Sequence, residues 1–201
     1  MQELPLVALP LQEKIAIKIP GFSLQSGAGN SELFEHRKPN TQHPEPNTQK
    51  NMTTLKQGDK APDFSGVDQD GKSHQLTDYK GKKLVVFFYP KASTPGCTAE
   101  ACDLRDNFER FQANNYALLG VSADSQKAQA KFRDKYEFPF PLLADEDKSV
   151  INAFGVWGPK KFMGKEYDGI HRTTFVIDEN GIIDEVIADV KTKAHADQIL
   201  K

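Results

Sequence analysis

Two cysteines, Cys97 and Cys102, are all the thiols in this chain of 201 residues. They are too few for the disulfide scaffold of a secreted domain, and in a reducing compartment so close a pair is more often catalytic or metal-binding. The chain therefore reads as intracellular and cytoplasmic. An apolar run ends in Tyr89-Pro90, and the chain then passes through Lys91, Ala92, Ser93, Thr94, Pro95 and Gly96 to Cys97. Pro90 and Pro95 stiffen this loop, and Gly96 permits close backbone approach. Cys97 falls where a helix opens, beside unpaired N–H groups and the positive end of the helix dipole. A thiolate, the nucleophilic form of cysteine, is favoured there. Moving an ordinary thiol, with a pKa near ~8.5, down by two pH units takes roughly 2.7 kcal/mol. A helix terminus supplies only about 0.3 to 2 kcal/mol, so a cation must add the rest, and an arginine is expected.

Other chemistries fit less well. His74, His171 and His195 share no ligand spacing with the cysteines, and His36 and His43 lie far upstream, which speaks against zinc. A disulfide oxidoreductase uses C-x-x-C at the helix start, whereas here four residues intervene. Five residues of ideal helix mean about 7.5 Å of rise and about 140° of rotation, so the two thiols point apart. A disulfide needs Cα atoms roughly 4.4 to 6.8 Å apart, so joining them requires the first turn to unwind. Neither a Gly-rich phosphate loop nor a dinucleotide fingerprint follows a strand. A formal net charge of -2 favours neither nucleic acid nor an acidic membrane. No metal, haem or flavin cofactor is implied.

The elements that must hold this loop follow from the apolar pattern. Leu84 to Tyr89 is a continuous apolar run, which suits a strand buried on both faces in mid-sheet. Ala99 to Phe111 carries Cys102, Phe108 and Phe111 at roughly helical spacing, and Tyr116 to Val121 is a second strand. Ser125 caps a helix to Tyr136, with Ala128, Phe132 and Tyr136 in one stripe, stopped by Pro139 and Pro141. Asp147 to Phe154 reads as a short helix. Thr173 to Ile177 and Ile182 to Ala188 flank Asn180-Gly181, a two-residue hairpin signal; Asp70-Gly71 marks a smaller hairpin, and Ala194 to Leu200 a closing helix. This order predicts an α/β thioredoxin-like fold, a mixed central sheet with helices on both faces.

The first fifty residues differ. Gly21 to Asn51 is rich in Ser, Asn, Gln, Glu and Pro, with too few apolar groups to offset the entropy of ordering it. Leu4 to Ile19 is more apolar but is interrupted by Pro5, Pro10 and charges, so it is neither a membrane span nor a signal peptide. Residues 1–51 are expected to be a disordered leader or, at the Leu4 end, a docking peptide. The compact domain is expected over 52–201, with Met52 a candidate natural start.

Pro90, Thr94 and Cys97 match the P-x-x-x-T-x-x-C signature of the peroxiredoxins, which this chain resembles. The stretches KQGDKAPDF, FYPKASTPGCTAEACDLRD and VWGPKKFMGKEYDGIHRTTFVID resemble the peroxiredoxin Q or bacterioferritin comigratory protein subgroup, over about Leu55 to Lys201. Ala92 and Ser93 depart from many relatives, where an acidic residue and another loop residue are expected. The resemblance implies a thiol peroxidase acting on hydrogen peroxide and organic hydroperoxides. In it Cys97 would be the peroxidatic nucleophile, Thr94 would hydrogen-bond the peroxide, Pro90 would shield the thiolate from water, and Arg172 would be the missing cation. Glu100 matches the C-T-x-E-x-C pattern, without a definite role. Cys102 would be the resolving cysteine of an intramolecular pair, the alternative being a core cysteine in a one-cysteine enzyme. A thioredoxin or similar dithiol protein would supply electrons to a monomer. A thioredoxin-like disulfide oxidoreductase and a non-enzymatic holdase stay open as other functions, and Trp157 stays open between packing and substrate recognition.

Overall fold

The computed structural model describes residues 53–162 and 164–201. The leader expected over 1–51, and Met52, lie outside the described residues. The elements are β1 (Ser65–Val67), β2 (Ser73–Gln75), a 3-10 turn (Leu76–Tyr79), β3 (Lys83–Phe88), α1 (Pro95–Asp106), α2 (Phe108–Ala113), β4 (Tyr116–Ser122) and α3 (Gln126–Tyr136). They continue as β5 (Leu142–Ala144), α4 (Ser149–Ala153), β6 (Trp157–Phe162), β7 (Lys165–Ile170), β8 (Thr173–Ile177), β9 (Ile183–Ile187) and α5 (His195–Ile199).

The apolar run at Leu84 is the middle of a five-stranded sheet of order β5-β4-β3-β8-β9. β4 is parallel to β3 and β5 to β4, whereas β8 is antiparallel to β3 and β9 to β8. Because side chains alternate along a strand, Leu84, Val86 and Phe88 join one core with Ile151, Phe154 and Phe175, while Val85, Phe87 and Tyr89 join another with Leu104, Phe111, Phe132 and Ile199. The step from β3 to β4 to β5 goes one way along the sheet, and right-handed crossovers put α1, α2 and α3 on one face. The return from β5 to β8 puts α4 on the other. This is the thioredoxin-like arrangement that the element order predicts. Gly120 of β4 is required by this packing: a Cβ there would lie 2.7 Å from both Leu142 Cδ2 and Phe87 Cζ.

Both expected hairpins form, with a longer loop than two residues. In each, the N–H of an aspartate bonds to a carbonyl four residues on, Asp178 to Ile182 at 2.8 Å and Asp68 to Lys72 at 2.9 Å. The aspartate Oδ1 accepts the N–H groups two and four residues ahead, and a glycine closes the loop with φ of 84° at Gly181 and 79° at Gly71. α3 begins at its Ser125 cap, but it ends before the prolines: Glu137 takes the left-handed conformation, φ 54°. The hairpin β6–β7, missed in the sequence, pairs Trp157 with Ile170 through Phe162 with Lys165.

The helix expected over Ala99 to Phe111 starts earlier and is broken. Pro95 occupies its first position, where a missing N–H costs nothing. Asn107 breaks it by bonding its side-chain amide back to the Asp103 carbonyl at 2.9 Å. The buried stripe of α1 is Cys97, Glu100, Ala101 and Leu104, not a stripe through Cys102 and Phe108. These four occupy one helical face, and the pattern was hidden because one of them is charged.

Candidate active site

β3 and β4 end side by side, and a buried chain of hydrogen bonds ties their ends to the loop that follows. The Tyr89 hydroxyl donates to Gln129 Oε1, and Gln129 Nε2 donates to Ser122 Oγ at 2.8 Å and to the Leu143 carbonyl at 3.0 Å. Burial pushes the Tyr89 pKa up, which keeps its hydroxyl a donor. The Ser122 hydroxyl donates to Asp124 Oδ2 at 2.7 Å, and the same oxygen accepts the Ala92 N–H at 2.7 Å. A charge-assisted bond thus anchors the loop leading to Cys97. Ser93 within it has a φ of 61°, a conformation that costs a non-glycine residue energy.

Thr94 is the N-cap of α1, yet its hydroxyl turns back to donate to the Lys91 carbonyl at 2.9 Å and caps no helix N–H. The first intrahelical bond runs from Thr98 N–H to the Thr94 carbonyl at 2.8 Å. The N–H groups of Gly96 and Cys97 therefore precede the helical ladder. Cys97 is the third residue of α1 and only 2% exposed. Arg172, in the short link between β7 and β8, donates from Nη2 to Cys97 Sγ at 3.2 Å. From Nη1 it donates to Glu100 Oε2, one turn along the same face. Burial works against the Arg172 charge, but Glu100 and Cys97 outweigh it and push its pKa up. A Cβ at Gly96 would lie 3.4 Å from Arg172 Nη2, so the glycine gives the guanidinium room without being required. The structure thus brings Arg172 to Cys97, with Glu100 as its second partner.

Glu100 is completely buried, and burial pushes its pKa up to about 7 against the opposing pull of Arg172. His195, also fully buried, stands behind it with Nε2 3.8 Å from Glu100 Oε1 and 2.8 Å from the Thr174 hydroxyl. Lys160 of β6 donates to the Ile170 carbonyl at 2.9 Å. Burial lowers its pKa, and the Arg172 charge lowers it further, which places Lys160 in the field of the site. Asp124, Thr174, His195 and Lys160 are the residues that sequence reasoning missed. For Asp124 a signal existed, since the carboxyl ends of adjacent parallel strands are where such folds build sites.

Cys102 lies five residues along the same unbroken helix and is half-buried, and both thiols are free. Burial pushes its thiol pKa up, with Arg105 opposing. The far half of α1 is fastened at three points. Leu104 is buried, Asp103 Oδ2 accepts the Ala196 N–H at 2.7 Å, and Arg105 Nη1 donates to the Tyr136 carbonyl at 2.7 Å. Pro90 is exposed and borders a cavity of about 210 Å³ with Lys91, Asp124, Trp157, Lys160 and Tyr167. Trp157 packs on the core and lies under Lys148 Nζ, 5.1 Å from its ring centre, while also walling this cavity.

Among the described residues, no helix is long and apolar enough to cross a membrane. The sequence profile of the AhpC/TSA family matches residues 57–186. Peroxiredoxin Bcp of Escherichia coli strain K12 is 50% identical over 149 residues, 74% of this chain and 96% of the relative. Peroxidoxin BcpB of Mycobacterium tuberculosis superposes with a TM-score of 0.65 at 39% identity, over 73% of this chain and 94% of that one. A Xanthomonas campestris bacterioferritin comigratory protein, described for alkyl peroxide reduction, superposes with a TM-score of 0.66 at 35% identity, over 74% and 95% of the two chains.

Proposed function

This chain belongs to the AhpC/TSA family as a thiol peroxidase of the peroxiredoxin Q and Bcp kind, and from that premise we propose that Cys97 is its peroxidatic nucleophile and Cys102 its resolving cysteine. The observation that carries the reading is the Arg172 guanidinium 3.2 Å from Cys97 Sγ at the opening of α1. The Cys97 thiolate attacks the terminal peroxide oxygen, and the O–O bond breaks. The sulfur keeps the terminal oxygen as a sulfenic acid, and the other oxygen takes up a proton and departs as water or an alcohol. Arg172, already oriented, lies against the charge that moves from sulfur to oxygen, and such preorganised charge lowers the barrier. The Thr94 hydroxyl gives its hydrogen to Lys91, so toward a peroxide O–H it offers lone pairs. Pro90 limits water at the loop, and Glu100 holds Arg172 from the other side. Hydrogen peroxide and organic hydroperoxides are both substrates in this reading; the similarity to the Xanthomonas campestris protein described for alkyl peroxide reduction supports the second.

Resolution follows once the first turn of α1 opens. The Cys102 thiolate then attacks the sulfenic sulfur, releases its oxygen as water and leaves a disulfide, which an external dithiol of thioredoxin type reduces by exchange. The reading includes a monomer in the cytoplasm, with residues 1–51 dispensable for catalysis. A one-cysteine enzyme is the second reading, favoured by the half-buried place of Cys102 on an intact helix. Peroxide consumption by wild type, Cys97→Ser and Cys102→Ser, with mass spectrometry of the oxidised protein, tests both. Turnover lost with Cys97→Ser and an intramolecular Cys97–Cys102 link in wild type support the proposal. A stable sulfenic acid in wild type would replace the resolving role with the one-cysteine reading, and turnover kept by Cys97→Ser would overturn both.

A further inference from the structure

Glu100 is buried with one of its oxygens unsatisfied. Oε2 takes a hydrogen from Arg172, while Oε1 has no hydrogen-bond partner among the described residues and faces His195 Nε2 at 3.8 Å. The orientation of that ring is set from its other edge. Gln198 receives the Lys191 N–H on Oε1 at 2.7 Å and donates from Nε2 to the Asp189 carbonyl at 3.0 Å, which fixes its amide. Its oxygen then lies 3.1 Å from His195 Nδ1, so Nδ1 must carry hydrogen. In the neutral ring Nε2 is bare, and the Thr174 hydroxyl donates to it at 2.8 Å. What Glu100 Oε1 meets is a ring with no N–H to offer.

A carboxylate oxygen in that position is a buried charge without a donor, and a proton on Oε1 removes the charge. The charges facing the pair come from every side: Cys97 and Asp103 on α1, Arg172 before β8, and Lys160 on β6 toward Arg172. Asp103 favours an imidazolium, but burial lowers the His195 pKa while it raises that of Glu100, so the proton belongs on the carboxyl. The position of the proton matters to Arg172. With two anions it divides one positive charge, on Nη1 and Nη2; with Glu100 neutral, that charge faces Cys97 alone.

We propose that His195 is a positioning residue: held by Gln198 so that it offers Glu100 no hydrogen, it keeps Glu100 protonated and leaves Arg172 to the Cys97 thiolate. The proposal rests on the peroxidase reading, but the proton is read in the resting, reduced protein with no peroxide present. The full chain is labelled with carboxyl-13C glutamate, and Glu100 is assigned by Glu100→Gln. Its carboxyl should be protonated at about pH 6 and titrate near or above neutrality. In His195→Gln, whose amide can turn an N–H toward Oε1, Glu100 should ionise at least about one pH unit lower. At pH 6 a shift of about one unit ionises about half of Glu100, so the rate constant with hydrogen peroxide should then fall about twofold, and further for a larger shift. Adding Glu100→Gln to His195→Gln should restore most of that rate, because the second acid can no longer ionise. Gln198→Leu, which frees the ring to take its other tautomer, should shift Glu100 in the same direction as His195→Gln, so the test does not depend on one variant folding. Glu100 ionised at pH 6 in wild type, equal titration in all variants, or no recovery in the double variant would overturn the proposal. Failure of the peroxidase reading would show separately, as wild type that does not consume peroxide.

Discussion

Replacing Glu100 by glutamine should alter the pH dependence of stability as well as its size. The side chain is fully buried, and burial moves its pKa from the ordinary 4.5 to about 7. Between those values the folded protein holds a proton that the unfolded chain has released, so raising the pH draws the equilibrium toward the unfolded chain. The stabilising contribution is complete below 4.5, declines as pH rises, and is gone above about 7. At about 1.4 kcal/mol for each tenfold change in proton affinity, the interval is worth about 3 kcal/mol. That is a visible share of the 5 to 15 kcal/mol, roughly, that holds an ordinary domain folded. Glutamine does not titrate, and the slopes of all other carboxylates are common to both proteins. The assay is urea unfolding of the two reduced proteins from about pH 4.5 to pH 8.5, followed by far-UV circular dichroism. The stability of the variant relative to wild type should rise by about 3 kcal/mol up to pH 7 and then stay level. A relative stability that does not change with pH would mean that Glu100 ionises alike in both states, and the burial argument would be refuted.

Gly120→Ala should lower stability by about 1 to 3 kcal/mol, read as a drop in Tm, because its Cβ would meet Leu142 and Phe87 at 2.7 Å; an unchanged Tm would mean that the core gives way there. Asp124→Ala removes the acceptor of the Ala92 N–H and of the Ser122 hydroxyl, and should cost about 1 to 3 kcal/mol and slow peroxide consumption. Equal rates for Asp124→Ala and wild type would show that the loop is held without it. Amide exchange over residues 98–105 should be slow in the reduced protein and much faster in the disulfide form, with β3 unaffected; equal protection in the two forms would rule out unwinding of α1.

Local patterns were legible where local physics decides. The β3 run, the Ser125 cap and the two Asp/Gly loops are set by neighbours in sequence, and the structure has them all. The β6–β7 hairpin was hidden because Pro159, Gly158 and two lysines break every strand pattern, and β5 has only three residues. The buried stripe of α1 was misread because it includes Glu100, which reads as a solvent position until Arg172 arrives from 72 residues away. Cys97 and Arg172 were named through motifs, and the structure brings them together. His195 and Thr174 carried no such signal, since what matters about them is a lone pair aimed by Gln198, which no spacing encodes.

The fastenings of α1 make that helix a cantilever. Its root, Asp103 to Arg105, is clamped by hydrogen bonds to α5 and α3, while at its tip Cys97 is held by one guanidinium and by the packing that buries it. A beam so mounted lets go at the tip first. Oxidation of the thiolate proposed at Cys97 would cancel its negative charge, weaken the grip on the tip and leave the clamp untouched. Cys102, one residue from the root, would keep its place while Cys97 swung toward it. Of two thiols on one helix, one would then travel and the other wait, and which does which is decided by where the beam is bolted.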